Sequence, residues 1–146
     1  MKIVIASDHG GIDMKDELVK RLKADKHEIL DVGTYDTQSV DYPDYAAKAA
    51  EKVVNGEASH GILVCGTGIG MSIAANKIHG IFCAKINSAE EGILAAEHNN
   101  ANMIALGGRT TDIEEAWKAV LNWLRTPFGG DRHARRTNKI VEMDKD

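Results

Sequence analysis

Short runs of contiguous apolar residues alternate along this chain with longer segments whose apolar positions recur every three or four residues. The short runs at residues 2–7 (KIVIAS), 27–33 (HEILDVG), 61–66 (GILVCG), 80–86 (GIFCAKI) and 102–108 (NMIALGG) predict strands. Residues 13–26 set Met14, Leu18 and Leu22 four apart with charges between them, the pattern of an amphipathic helix. Residues 44–56 begin on Asp44, a capping type, and end beside Gly56, as a helix does. Residues 70–78 and 88–99 predict two further helices, and 112–125 puts Ile113, Trp117, Val120, Leu121 and Leu124 on one helical face. Residues 34–43 read as a polar loop, and the basic tail at 131–146 as helical.

Five strand–helix units follow one another in this reading. The strands are nearly continuous apolar runs, so both faces of the sheet are expected to be covered. The predicted class is α/β, a Rossmann-like αβα sandwich with a five-stranded parallel sheet and a C-terminal helical tail. No repeat, low-complexity stretch or linker divides the chain, and residues 1–146 are expected to form one domain.

Charge narrows the function. With 22 acidic and 18 basic side chains the formal net charge is −4, which argues against a general nucleic-acid binder. No apolar stretch approaches the roughly 20 residues needed to span a bilayer, and the N-terminus reads as a strand and not as a signal peptide. A cytoplasmic protein is expected, with no membrane or nucleic-acid partner. The two cysteines, Cys65 and Cys83, lie in no CxxC pair and at no zinc-finger spacing, so neither a metal nor a disulfide is expected.

In a parallel sheet covered on both faces, ligands sit beyond the carboxyl ends of the strands. The residues there are Ser7-Asp8-His9-Gly10-Gly11, Gly33-Thr34, Cys65-Gly66-Thr67-Gly68-Ile69-Gly70, Asn87-Ser88 and Gly107-Gly108-Arg109. Glycines, hydroxyls, a carboxylate, an imidazole and a guanidinium suit a polar anionic small molecule. Gly66, Gly68 and Gly70 match neither GxGxxG nor a P-loop, which needs a following Lys. They make either a tight strand-to-helix turn or a nest of inward amides that stabilises an oxyanion. Cys65 at its lip is either a buried small apolar residue or a thiol activated by a helix N-terminus. Cys83, in an apolar strand, reads as core. Asp8 is a helix cap or a working carboxylate, and His9 an anion contact or proton relay. His98 and Asn99 close the fourth helix, where His⁺ also complements the helix dipole. Arg132 and Arg136 lie four apart, forming with His133 either a solvated stripe or a phosphate clamp to which Arg109 adds.

Taken together, SDHGG (7–11), VDYPDYA (40–46), GILVCGTGIGMSIAANK (61–77), EHNNANMIALGGR (97–109) and RHARR (132–136) resemble the ribose-5-phosphate isomerase B family, whose relatives act on galactose 6-phosphate and allose 6-phosphate. The resemblance runs in order over nearly the whole chain. It implies a cofactor-free and metal-free aldose–ketose isomerase of pentose phosphate metabolism, working through a cis-enediolate. It also implies a homodimer, or a tetramer of paired dimers, with active sites at the subunit interface. Carried over, Cys65 matches the general base, and Gly66, Gly68 and Gly70 the enediolate-stabilising loop. Thr67 matches the hydroxyl that assists proton transfer between oxygens. Asp8 and His98 match sugar binding and ring opening, and Asn99 a ligand-binding amide. His9, Arg109, Arg132, His133 and Arg136 match phosphate and sugar contacts. One branch of the family has a glutamate base where this chain has Met71. Phe82 stands in place of a common Arg, Asn100 in place of Asp, and Asp131 in place of Gly, and 87–92 lacks an aromatic often found there. Two alternatives stand beside ribose 5-phosphate isomerisation: an isomerase of a six-carbon aldose 6-phosphate, and a non-catalytic sugar-phosphate-binding protein. A nucleotide-binding module ranks behind both.

Overall fold

The computed structural model describes residues 1–144. Five strands, β1 (Lys2–Ser7), β2 (Glu28–Asp31), β3 (His60–Cys65), β4 (Cys83–Lys85) and β5 (Met103–Gly107), form one sheet in the order β2-β1-β3-β5-β4, with every pairing parallel. Each of the first five helices follows its strand and returns the chain: α1 (Ile12–Ala24), α2 (Tyr42–Val54), α3 (Ile69–Ala75), α4 (Ala89–Glu97) and α5 (Ile113–Arg125). The tail forms α6 (Asp131–Glu142).

Burial explains the run-like strands. The inner strands β1, β3 and β5 are buried almost throughout, because helices cover both faces. Ile3, Ile5, Val64 and Leu106 pack with Leu18, Leu22, Ala119 and Trp123 on the face covered by α1, α4 and α5. Val4, Ala6, Leu63, Cys65 and Ala105 pack on the opposite face against Ala46, Ala49, Ala50 and Met71 of α2 and α3. The edge strands β2 and β4 are shorter than their apolar runs suggest, at four and three residues, and only partly buried. One neighbour instead of two leaves their ends free to turn. Asp44 is not the cap of α2; the helix starts at Tyr42, with Asp41 before it and Pro at its first turn.

Connections leave β1 towards β2 on one side and return to β3 on the other. The strand order therefore reverses between β1 and β3, which opens a crevice beyond their carboxyl ends. Ser7 pairs with Val64 and Cys65 with Gly107, and the Asp8 amide donates to the Val64 carbonyl at 3.2 Å. Asp8 and Cys65 thus stand side by side at that crevice.

Two measurements test this packing. In the middle of α4, a Cβ at Gly92 would run into the Ala119 carbonyl of α5. Alanine in a free helix is favoured over glycine by about 1 kcal/mol. Here Gly92→Ala is expected to destabilise by about 1–3 kcal/mol through overpacking, read by urea unfolding. At the start of β3, His60 packs edge-on to Trp123, with ring centroids 4.9 Å apart. Burial first, then the positive N-terminus and His27, hold its pKa below the usual 6.5. Its neutral form is the one the fold accepts, so this contribution to stability is present above the unfolded pKa and is lost as pH falls through the lower folded value. Melting temperature is expected to fall on acidification below about pH 6.5, and less steeply in His60→Gln.

Candidate active site

Cys65 ends β3, and the chain must turn at once into α3. Gly68 makes that turn with φ +82°, a left-handed conformation that side chains resist. The turn brings the Gly68 N–H back to donate to the Cys65 sulfur at 3.1 Å. The side chain is buried with its residue 5% exposed, at the end of the sheet and not within it. The residues around it are progressively more open: Gly66 is half-buried, and Thr67 is exposed with its Oγ1 accepting from the Ile69 N–H at 3.2 Å. Gly70 is covered by the ring of Tyr42 at the start of α2, which a Cβ at Gly70 would strike at 2.6 Å.

Asp8 is 9% exposed and does not cap α1. Its Oδ1 accepts from the Gly10 N–H at 2.9 Å, which folds the SDHGG turn back on itself and holds the carboxylate beside Cys65. His9 accepts at Nδ1 from the Val40 N–H at 3.2 Å, so in the neutral ring Nε2 carries the proton and donates. Arg109, after β5, lays its guanidinium across two glycines: a Cβ at Gly10 would meet Nη2 at 3.2 Å, and one at Gly66 would meet Nη1 at 3.3 Å. One exposed cation thus bridges the β1 and β3 loops. Asp8, His9, Cys65, Gly66, Thr67, Gly68, Gly70 and Arg109 form one cluster at the crevice.

The remaining expected residues lie elsewhere. Helix α4 runs antiparallel to the strands, so His98, its C-cap, and Asn99 return to the edge where the strands begin. The chain from Gly129 packs there: its N–H donates to the Glu97 carbonyl at 2.9 Å, and the His133 ring of α6 stacks on His98 with centroids 4.3 Å apart and planes 14° from parallel. His98 Nε2 lies 3.3 Å from Glu97 Oε1. Loss of solvent contact, then His98, Arg132 and Arg136, lower the pKa of His133 from its ordinary value. Arg132 and Arg136 are exposed on the same helix. This second cluster is separated from the first by the length of β5, five residues, or about 17 Å at ~3.3 Å per residue. No side chain spans that distance.

Cys83 is not core. It is half-buried, with its backbone N–H and C=O both held by the Asn76 side chain, and it lines a cavity of about 560 Å³ with Phe82, Asn99, Ile140, Met143 and Asp144. A three-residue edge strand cannot cover its outer side. Burial still pushes the Cys83 thiol up to about 12, so it stays protonated. Met71 is fully buried under the glycine loop. Two of the three departures have a backbone reason: Asn100 (φ +49°) and Asp131 (φ +47°) occupy left-handed positions, which Asn and Asp tolerate better than other side chains. Sequence reasoning missed Tyr42 and the Val40 amide as site elements. The Tyr-Pro pair opening α2 was their only signal, since which ring covers Gly70 depends on how α2 packs against α3. Among the described residues no group of His, Cys, Asp or Glu is arranged to hold a metal ion, and no helix is long and apolar enough to cross a membrane.

Comparison with known proteins matches this architecture to one family. The Ribose/Galactose Isomerase family model matches residues 3–140. The Clostridium thermocellum ribose-5-phosphate isomerase B structure superposes with a TM-score of 0.97 at 46% identity, covering 99% of this chain and 97% of that one. The Mycoplasma genitalium ribose-5-phosphate isomerase B, solved with bound ribulose-5-phosphate, gives 0.94 at 39% identity, with the same coverage of 99% and 97%. The Escherichia coli ribose-5-phosphate isomerase B is 38% identical over 144 residues, 99% of this chain and 97% of its own. With 99% of its length matched by these relatives and residues 3–140 by the family model, the chain belongs to the ribose/galactose isomerase family and is an aldose–ketose isomerase.

Proposed function

We propose that this enzyme interconverts ribose 5-phosphate and ribulose 5-phosphate through a cis-enediolate, with Cys65 as the general base and all of residues 1–146 acting as one isomerase domain. The observation that carries the reading is the Gly68 N–H donated to the Cys65 sulfur in a loop bridged by Arg109. A relative solved with ribulose-5-phosphate supports the choice of substrate.

The chemistry follows from those groups. The open-chain aldose carries a carbonyl at C1. The Cys65 thiolate removes the proton from C2, the C1–C2 bond becomes double, and the carbonyl electrons move onto O1. The amides of the Gly66–Gly70 loop stabilise that oxygen. Thr67 passes the proton from O2 to O1, and the Cys65 thiol returns its proton to C1, leaving the ketone at C2. Asp8 takes part in sugar binding and ring opening. The phosphate does not react; held by Arg109, His9, Arg132, His133 and Arg136, it lends binding energy that keeps C1 and C2 against the sulfur. No cofactor enters the scheme.

Because His98 and Asn99 lie at the far edge of the sheet, they serve the Cys65 cluster of a second copy, together with Arg132, His133 and Arg136. We infer a homodimer, or a tetramer of such pairs. Support comes from exposed apolar side chains on α3 and around α6, among them Ile73 at 60%, Val141 at 55% and Met143 at 77%, a surface that a second copy would cover. We assign the reaction to the cytoplasm and to pentose phosphate metabolism; the thiol base suits a reducing compartment.

Three outcomes test this reading. Cys65→Ala is expected to lower kcat for ribose 5-phosphate about 10²–10⁴-fold with ligand binding largely kept; unchanged turnover would remove Cys65 as base. Six-carbon aldose 6-phosphates assayed in parallel are expected to turn over more slowly. Mixing inactive Cys65→Ala and His98→Ala proteins under subunit exchange is expected to restore activity, because each mixed dimer regains one intact site. Random pairing of two subunit types predicts about a quarter of wild-type specific activity. A mixture as inactive as its components would show that both clusters do not meet across subunits.

A further inference from the structure

Lys15, on the second turn of α1, is 1% exposed, a rare burial for a lysine and one that demands a partner. Its Nζ lies 2.7 Å from Asp31 Oδ2 and 3.2 Å from Asp16 Oδ1, and 5.4 Å from the centre of the Tyr35 ring. Nothing in the isomerase chemistry above uses it. Its partners nevertheless lead to the site. Asp31 is the last residue of β2, and its second oxygen, Oδ1, accepts from the Gly33 N–H at 2.9 Å. The Asp31 carbonyl accepts from the Tyr35 hydroxyl at 2.9 Å. The turn so held is tied to the end of β1, where Ser7 N–H donates to the Gly33 carbonyl at 2.7 Å and Thr34 N–H to the Ser7 carbonyl at 2.8 Å. Ser7 directly precedes Asp8 and His9. Further along the same loop, Val40 N–H donates to His9 Nδ1.

We propose that the Lys15–Asp31 ion pair positions the loop from Val32 to Asp41, so that the loop's Val40 amide fixes the His9 imidazole in the tautomer that offers Nε2–H to the substrate. The claim rests on the reading of His9 as a substrate contact. One carboxylate does two jobs: one oxygen neutralises the buried ammonium and the other anchors the first amide of the turn. Without the ammonium, the Asp31 side chain, already 27% exposed, gains more from water than from the turn. The loop then loses its anchor at one end and its hold on His9 at the other. Lys15 is a positioning residue in this account, since it touches neither the sulfur nor any substrate contact.

The test uses full-length Lys15→Met, Asp31→Asn and the double variant, with Lys15→Arg as the conservative change. The readouts are kcat and KM with ribose 5-phosphate, and the 15N shifts of the His9 ring. Lys15→Met is expected to raise KM roughly tenfold, as a misplaced positioning group does, with a smaller change in kcat and a His9 signal shifted from one tautomer to a mixture. The double variant is expected to be no worse than Lys15→Met, and Lys15→Arg to restore most of the KM. Unchanged KM and a single His9 tautomer in Lys15→Met, whatever its melting temperature, would overturn the proposal. If Lys15→Met does not fold, Asp31→Asn decides by the same two readouts. Wild-type protein inert towards ribose 5-phosphate would sink the substrate assignment instead, while the His9 spectrum, which needs no turnover, still decides the role of Lys15.

Discussion

A single hydrogen bond, from the Gly68 amide to the Cys65 sulfur at 3.1 Å, joins the fold of this protein to the chemistry we propose for it. It exists because β3 ends at Cys65 and the chain turns into α3 within three residues, through a left-handed Gly68. Any residue with a side chain would be strained there, and its Cβ would press on the Leu106 backbone at 3.0 Å. The same turn therefore needs glycine for packing and returns its amide to the Cys65 sulfur. The sheet does the rest. Parallel register sets Asp8 beside Cys65 at the point where strand order reverses, and Arg109 reaches over from β5 to cover both loops.

Much of this was legible in the residues. Contiguous apolar runs at 2–7, 61–66 and 102–108 became the three inner strands, because burial on both faces leaves no polar alternation. Once the parallel sheet was expected, the residues after β1, β3 and β5 had to converge, and Asp8, Cys65 and Arg109 do. What the residues did not carry were facts set by neighbours. Edge strands β2 and β4 came out shorter than their runs because each lacks a second partner. Cys83 looked like core in a list of apolar letters, yet an edge strand of three residues leaves it lining a cavity. Of the two readings of Asp8, cap or working carboxylate, the cap falls away, because the side chain folds back onto Gly10. Tyr42 over Gly70 is a contact between two helices, and no local pattern encodes it.

The separation of the candidate residues into two clusters has a plain topological cause. In a parallel sheet each return helix ends at the edge opposite its strand's carboxyl end, so His98 is placed away from Cys65 by the same rule that brings Asp8 and Cys65 together. The tail then adds α6 to the far edge, stacking His133 on His98. A chain built this way carries two separate clusters facing different directions; in the function we propose, pairing about a twofold axis joins them into two sites. The left-handed Asn100 and Asp131 flank the second cluster, each tolerating a backbone conformation that most residues avoid.

The central claim, that the Cys65 sulfur faces the reacting carbons of a bound sugar phosphate, is tested most directly by a crystal structure of Cys65→Ser protein soaked with ribose 5-phosphate. The account requires C1 and C2 of the sugar within about 3–3.5 Å of the residue 65 side chain, with the enediolate oxygens towards the 66–70 amides. Sugar density elsewhere, or a residue 65 closed off from the ligand by protein atoms, would contradict it.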